Sequence, residues 1–271
     1  MKPGHVAIIG FGAIAQDLIG ILKEADVGPP ERITVLVHSG REAGTKARLS
    51  DASISVSSDL EELLDEAPDV VVECAGHGAV AAFGALVLDH GTDLIIASAG
   101  ALSDPDLKAK LISSANRTGA QCVVPAGAIG GIDALGAARI SGLKSVIYIG
   151  RKPPSAWLGT PAEQAVDLGK LTRPTAFFEG TAREAAREYP KNANVAATLA
   201  LAGLGMDDTK VRLIADPTIQ ENVHEFSVVS NASDFSIRLV CKTSPLNPKT
   251  SRSTVYSIAR AVLNRHAAIA I

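Results

Sequence analysis

Cysteine is scarce in this chain and badly placed for pairing. The 271 residues include three cysteines, Cys74, Cys122 and Cys241, odd in number and far apart, with no CxxC. That excludes a disulfide framework and reads as reduced, mostly buried thiols. Long hydrophobic runs are missing too: no apolar stretch approaches the ~18 residues of a membrane span. The apolar stretch that follows Lys2 is interrupted by Gly10 and Gly12 and lacks a cleavage region, which argues against a secretory leader. The cytoplasm is the expected location. Neither sign of charge is in excess: the net charge is −3, the pI is about 6.1, and no run of like charges is long enough to read as a tail. Nucleic acid and anionic membranes both need a basic face, so neither is an expected partner. There is no GxSxG elbow and no Cys–His pair for nucleophilic catalysis. His5, His38, His77, His90 and His266 show no metal-ligand spacing, so no metal site is expected. Internal repeats and low-complexity segments are absent as well.

What is present is enough apolar material for a sizeable core: 46% hydrophobic against 20% charged residues. The length allows one large domain or two modest ones. In the first half, apolar strand-like runs at 5–10, 33–38, 69–76, 93–102 and 121–129 alternate with helix-like segments at 13–25, 59–67, 79–91 and 104–119. Strands that are apolar throughout imply a parallel sheet covered on both faces, and the handedness of the crossovers makes it doubly wound. Near Asp133 the pattern changes. An alternating strand at 145–152 precedes two Pro-rich turns, the helical pieces PAEQAVDLGK, TAREAAREY and NVAATLALAG, and the β-patterned runs VRLIADP, NVHEFSVVS and FSIRLVCK. The expected fold is therefore α/β: an N-terminal Rossmann-type unit over residues 1–133, completed by an amphipathic C-terminal helix at 250–271. An α+β catalytic domain with a largely antiparallel sheet is expected over 134–249.

IIGFGAIA carries Gly10, Gly12 and Ala15 in a GxGxxA spacing, after a buried strand and at the opening of a helix. That context turns a weak motif into a dinucleotide site. Gly10 permits the tight turn, and Gly12 lets backbone approach a pyrophosphate. Ala13 and Ile14 bring the free amides of the helix N-terminus, and Ala15 allows close packing. An NAD-preferring site usually ends its second strand in a carboxylate for the ribose 2′-hydroxyl. Here His38, Ser39, Gly40 and Arg41 stand instead. Ser39 can hydrogen-bond a 2′-phosphate and Arg41 can pair with one, so the expected cofactor is NADP or NAD, with dual specificity. Cys74 and Ala75 of ECAGHGAV lie at the next strand's ligand-facing edge, with His77 beside them. ASAGAL and PAGAIGGIDA end strands on that edge in residues small enough for a nicotinamide ring to lie against backbone.

In QENVHEF, Asn222 and His224 share one side of a strand with Phe226 and Val228. Taken alone, His224 reads better as a core histidine of the strand than as a catalyst. Asn194 opens a buried helix and reads equally as an N-cap.

GFGAIA, VVECAGHGAV, SAGAL, PAGAIGGIDAL, GRKPPSAW, FEGTAREAAREYPKNANVAATLALAG, NVHEF and NPKTS occur in order along nearly the whole chain. Together they resemble the L-aspartate dehydrogenase family. The resemblance implies NAD(P)-dependent interconversion of L-aspartate and iminoaspartate, which hydrolyses to oxaloacetate and ammonia. It places the family's catalytic acid/base on His224 and its nicotinamide contacts on Ala128 and Asn194. Histidine suits the two proton movements, since its ordinary pKa lies near neutrality. A dicarboxylate needs cations or convergent amides. Candidates are Lys249, Thr250 and Ser251 of NPKTS, read as the start of the final helix, together with Lys152, Lys191, Asn192 and Asn222. The alternatives are a reductase of similar build acting on homoserine or a dihydrodipicolinate-like ring, and a non-catalytic NADP-binding sensor. A homodimer formed through the second domain's sheet is expected.

Overall fold

A computed structural model describes residues 4–49, 51, 53–190, 192–244 and 247–270, with the backbone alone for 247–250. The chain divides into two compact units, Met1–Pro125 with Val255–Ile271, and Ala126–Thr254. The division falls ahead of Asp133, where the sequence pattern changes.

The first unit runs β1 (His5–Ile9), α1 (Ala13–Lys23), β2 (Arg32–Leu36), α2 (Glu42–Arg48), β3 (Ile54–Ser57), α3 (Leu60–Asp65), β4 (Val70–Glu73), α4 (His77–Asp89), β5 (Asp93–Ile96), α5 (Pro105–Thr118) and β6 (Cys122–Val123). All six strands are parallel, in the order β3-β2-β1-β4-β5-β6. The order reverses direction at β1, which makes the sheet doubly wound. β1 and β4 are buried along their whole length, as strands covered on both faces must be. Helix ends are set locally. Asp104 caps α5 by accepting from the Asp106 and Leu107 amides, and Gly119 ends it at φ 82°.

Several elements differ from the sequence reading. α2 and β3 stand between the second strand and the helix at 59–67. α2 buries only Thr45 and β3 is four residues long, so neither has a readable apolar period. The strand expected at 121–129 pairs only over Cys122–Val123. The run after β5 tightens into a 3₁₀ turn, Ala99–Ser103, rather than staying extended.

The second unit runs α6 (Ile132–Ser141), β7 (Leu143–Lys152), α7 (Ala162–Ala165), β8 (Thr175–Thr181), α8 (Ala182–Glu188), α9 (Asn194–Ala202), β9 (Lys210–Ala215), β10 (Asn222–Ser230), β11 (Phe235–Cys241), β12 (Thr243–Ser244) and β13 (Asn247–Ser251). Five strands form one sheet in the order β11-β10-β7-β9-β8, antiparallel except where β7 meets β9. β8 is an edge strand that the sequence reading missed; its short alternation lies between helical pieces. One sheet face is buried through Val146, Tyr148, Phe226 and Val228, while Ile147, Val229 and Val240 on the other stay exposed.

Lys249, Thr250 and Ser251 do not open the final helix. They belong to β13, which pairs with β12, and the helix α10 (Arg252–Asn264) begins only after Ser251. The Arg252 amide donates to the Lys242 carbonyl, closing that hairpin before the helix starts.

From Val255 onward α10 belongs to the first unit. Val255, Ile258, Ala259 and Val262 join Val6, Ile8, Leu18, Leu22 and Val35 in one core, and Arg265 pairs with Asp93. Ile258→Ala removes a side chain with no exposed surface and should cost about 2–5 kcal/mol. Tyr256→Ala on the half-exposed side of the helix should cost less, about 1 kcal/mol. Equal midpoints for the two variants in chemical denaturation would contradict this packing.

Candidate active site

In the first unit the ligand-facing feature is a cavity of about 640 Å³ at the C-terminal edge of the sheet. Its walls include Gly10, Phe11, His38, Ser39, Arg41, Arg48 and Ala75. Gly10 sits at φ 95°, and a Cβ there would lie 2.8 Å from the Ala75 Cβ, so both backbone strain and space demand glycine. Gly12 is the N-cap of α1 and brings no side chain to cover the first-turn amides. A Cβ on Gly12 would meet nothing within 4 Å, leaving open space before those amides. Uncovered amides, a positive helix end and cavity arginines fit the anionic, sugar-bearing half of a dinucleotide.

The cavity wall is tied down by Glu73, which sequence reasoning passed over inside ECAGHGAV. This buried carboxylate accepts from the amides of Ala75, Gly76 and Ser98 and from the Ser98 hydroxyl, at 2.6 to 3.1 Å. It thereby joins the ends of β4 and β5. Arg48 is a second missed residue. It sits over the Phe11 ring, 5.1 Å from its centroid, and donates to Gln16 at 3.1 Å. Its signal was hidden because α2 itself was not read. Cys74 is not part of the cavity lining; it packs against the core, where burial and the neighbouring Glu73 push its thiol well above the ordinary range. Ala15 is fully buried and serves packing.

In the second unit a group of buried polar residues lies at one end of the sheet. β10 presents Asn222, His224, Phe226 and Val228 on its buried face. His224 is 2% exposed. Its Nδ1 lies 2.7 Å from the Tyr148 hydroxyl, while its Nε2 has no hydrogen-bond partner among the described residues. Burial, with a smaller contribution from the Lys152 cation, lowers its pKa to about 3, so the imidazole is neutral near pH 7. Lys152 is itself buried. It donates to Asn192 Oδ1 at 3.0 Å and lies 5.5 Å from the Trp157 ring centroid. Asn222 donates to Ser251 Oγ at 3.1 Å, and its Oδ1 has no partner among the described residues.

Of the sequence candidates, His224, Asn192, Asn222 and Ser251 are thus buried polar groups of one unit. Ala128 is buried, its carbonyl accepting from the Cys241 thiol at 3.3 Å. Ala193 and not Asn194 holds the N-cap of α9, because the turn from Tyr189 already carries the Ala193 amide; Asn194 is the first helical residue. The side chains of Lys249 and Thr250, and Lys191, lie outside the described residues. Tyr148 was not singled out from the sequence: it lies 76 residues from its histidine, and alternation alone marks it as core.

A doubly wound unit opening on a glycine turn and an uncapped helix, joined to an α+β unit with a buried neutral histidine, defines a two-unit nicotinamide-dependent oxidoreductase. Residues 10–125 match the family described as homoserine dehydrogenase, NAD binding domain, and residues 133–265 match aspartate dehydrogenase, C-terminal. The L-aspartate dehydrogenase of Polaromonas sp. is 46% identical over 98% of this chain and 99% of its own. The crystal structure of aspartate dehydrogenase from Thermotoga maritima superposes with a TM-score of 0.78 at 26% identity, covering 98% of both chains. A hyperthermophilic archaeal homoserine dehydrogenase, solved with NADPH, shares the fold alone, with a TM-score of 0.62 at 13% identity over 97% of both chains. The chain belongs to the L-aspartate dehydrogenase family.

The depressed pKa of His224 has a consequence for stability. The unfolded chain binds a proton at this residue near its ordinary value of 6.5, and the folded chain only near 3. Folding therefore loses free energy as the pH falls from about 6.5 toward 3, by up to about 1.4 kcal/mol per pH unit. Between pH 7 and pH 5 the stability advantage of the native protein over His224→Gln should shrink. Equilibrium unfolding at both pH values measures this, and a constant gap would refute a neutral buried imidazole.

Proposed function

We propose that this chain oxidises L-aspartate to iminoaspartate, which hydrolyses to oxaloacetate and ammonia, and runs the reverse reductive amination. The observation that carries the reading is the free Nε2 of a buried, neutral histidine, with a buried cation and two amide side chains in the same unit. When bound, the nicotinamide ring supplies the two-electron acceptor or donor.

The chain's own residues supply the rest. His224 exchanges a proton with the amine and with the water that adds to the imine. Lys152, held by Asn192, draws a substrate carboxylate, and Asn222 offers the second the Nδ2 hydrogen that Ser251 does not take. A bound dicarboxylate offsets the field of Lys152 and raises the proton affinity of His224, bringing it toward the range a general acid/base needs. Ala128 and Asn194 contact the nicotinamide half of the dinucleotide. Gly10, Gly12, Ala13 and Ile14 hold the pyrophosphate, with Ala75 beside it, while Ala15 packs the helix on its strand and Cys74 stays in the core. His38, Ser39, Arg41 and Arg48 face the adenosine end and accept a 2′-phosphate, so NADP is used at least as well as NAD. The exposed Ile147, Val229 and Val240 of the second sheet are the surface through which two copies associate. The protein works in the cytoplasm on small molecules and takes no nucleic acid or membrane as partner.

The test is absorbance at the reduced-nicotinamide band with oxaloacetate, ammonia and either cofactor. Turnover with another keto acid but not with oxaloacetate would overturn the substrate. His224→Ala should cut turnover by ~10²-fold or more while dinucleotide affinity stays unchanged.

The cofactor reading is checked separately. Arg41→Ala should raise the NADP Kd by roughly 10-fold, about 1.4 kcal/mol, and leave that of NAD unchanged. An equal loss with both would remove Arg41 from 2′-phosphate recognition.

A further inference from the structure

Tyr148 and His224 face each other across two neighbouring strands. On β7, Tyr148 pairs in register with Phe226, and Gly150 pairs with His224. The tyrosine therefore reaches its histidine diagonally, past the glycine. Both rings are buried, lie within 15° of parallel, and join Oη to Nδ1 at 2.7 Å. A Cβ at residue 150 would sit 2.7 Å from that same hydroxyl oxygen. Glycine inside a strand weakens it and marks a close approach; here the approaching group is the Tyr148 hydroxyl. That hydroxyl has no other hydrogen bond among the described residues.

We propose that Tyr148, seated in the space Gly150 leaves, is a positioning residue that holds His224 in the tautomer with its hydrogen on Nε2, so that the histidine meets its substrate as a hydrogen-bond donor. The inference rests on the proposed role of His224. The reason is proton accounting at one contact. If the phenol donates, Nδ1 accepts with its lone pair, the remaining hydrogen sits on Nε2, and no polar hydrogen between the two rings is stranded. If Nδ1–H donated instead, the phenol hydrogen would be buried without an acceptor, which is costly. Burial also holds the phenol proton in place, since the Tyr148 pKa is raised. The tautomer at one nitrogen is thus set by the hydrogen bond at the other. The donor so presented takes a lone pair: the carbonyl oxygen of a keto acid or an oxygen of a carboxylate. To take a proton at Nε2 in the oxidative direction, the ring must first pass to the tautomer with its hydrogen on Nδ1, the Tyr148 hydroxyl turning to accept.

The experiment uses the full chain with ¹⁵N-labelled histidine. In the native protein the His224 signals should show Nδ1 unprotonated and Nε2 protonated. Tyr148→Phe, which removes one oxygen and keeps the ring packing, should turn them into a tautomer mixture. It should lower kcat/KM for oxaloacetate by about 10- to 100-fold with the dinucleotide KM unchanged. Gly150→Ala should act in the same direction, and Tyr148→Phe/Gly150→Ala should be no worse than Tyr148→Phe, because both strike one contact. A native Nδ1–H signal, nitrogen signals indifferent to Tyr148→Phe, or losses that multiply in the double variant would each overturn the proposal. If Gly150→Ala does not fold, Tyr148→Phe decides alone. Normal turnover in His224→Ala, alongside nitrogen signals that respond to Tyr148→Phe, would sink the catalytic reading while leaving the tautomer control standing.

Discussion

Exclusion of water from the His224 imidazole is the constraint to which the rest of the second unit answers. A buried imidazole cannot hold charge cheaply, so burial makes it neutral. Neutrality leaves one nitrogen that gives and one that takes, and a dry environment makes each partner consequential. Tyr148 meets one nitrogen. Gly150 gives up its side chain to let it do so. Lys152 adds a positive field that keeps the ring uncharged, and is itself steadied by the Asn192 oxygen and the Trp157 face.

The first unit answers to a different constraint, a strand-to-helix turn that leaves backbone amides uncovered. Gly10 and the uncapped start of α1 are local in sequence, so their geometry was readable from a handful of neighbouring residues. The parallel sheet was legible for a similar reason, because strands buried on both faces are apolar along their length. α2, β3 and β8 were not legible, since short elements with little buried surface carry no period. Asn194 and Ser251 were displaced by a residue or more, because the turn at Tyr189 and the β12–β13 pairing are hydrogen-bond decisions that composition does not record. The proposed catalytic histidine was found through its flanking motif; its tyrosine was not, since no local pattern links two strands so far apart.

The resemblance of individual segments was more informative about the second unit than the first. A glycine turn is shared by every fold that lays a pyrophosphate on a helix, and so it identifies chemistry of a class. NVHEF and PKNANVA are different: they put Asn192, Asn222 and His224 into the protein interior, where polar groups are tolerated only for cause. That contrast matches the family models, in which residues 10–125 match an NAD binding domain described for homoserine dehydrogenase and residues 133–265 match aspartate dehydrogenase, C-terminal.

Topology explains why these scattered residues converge. β7 and β10 run antiparallel, with Arg151 opposite Val223, so the last residues of β7 lie beside the first of β10. Lys152 therefore comes level with Asn222, two residues along from the Gly150 that faces His224. Going the other way along the same buried face, the residues become Tyr148 and Phe226, then Val146 and Val228. One face thus grades from polar to apolar over a few residue pairs. The apolar end supplies the burial that anchors the strands, and the polar end inherits that rigidity. The Tyr148 ring spans the transition, with its body among hydrocarbon and its hydroxyl on the imidazole. A substrate's charged groups would find their partners already held, so little ordering remains to be done at binding.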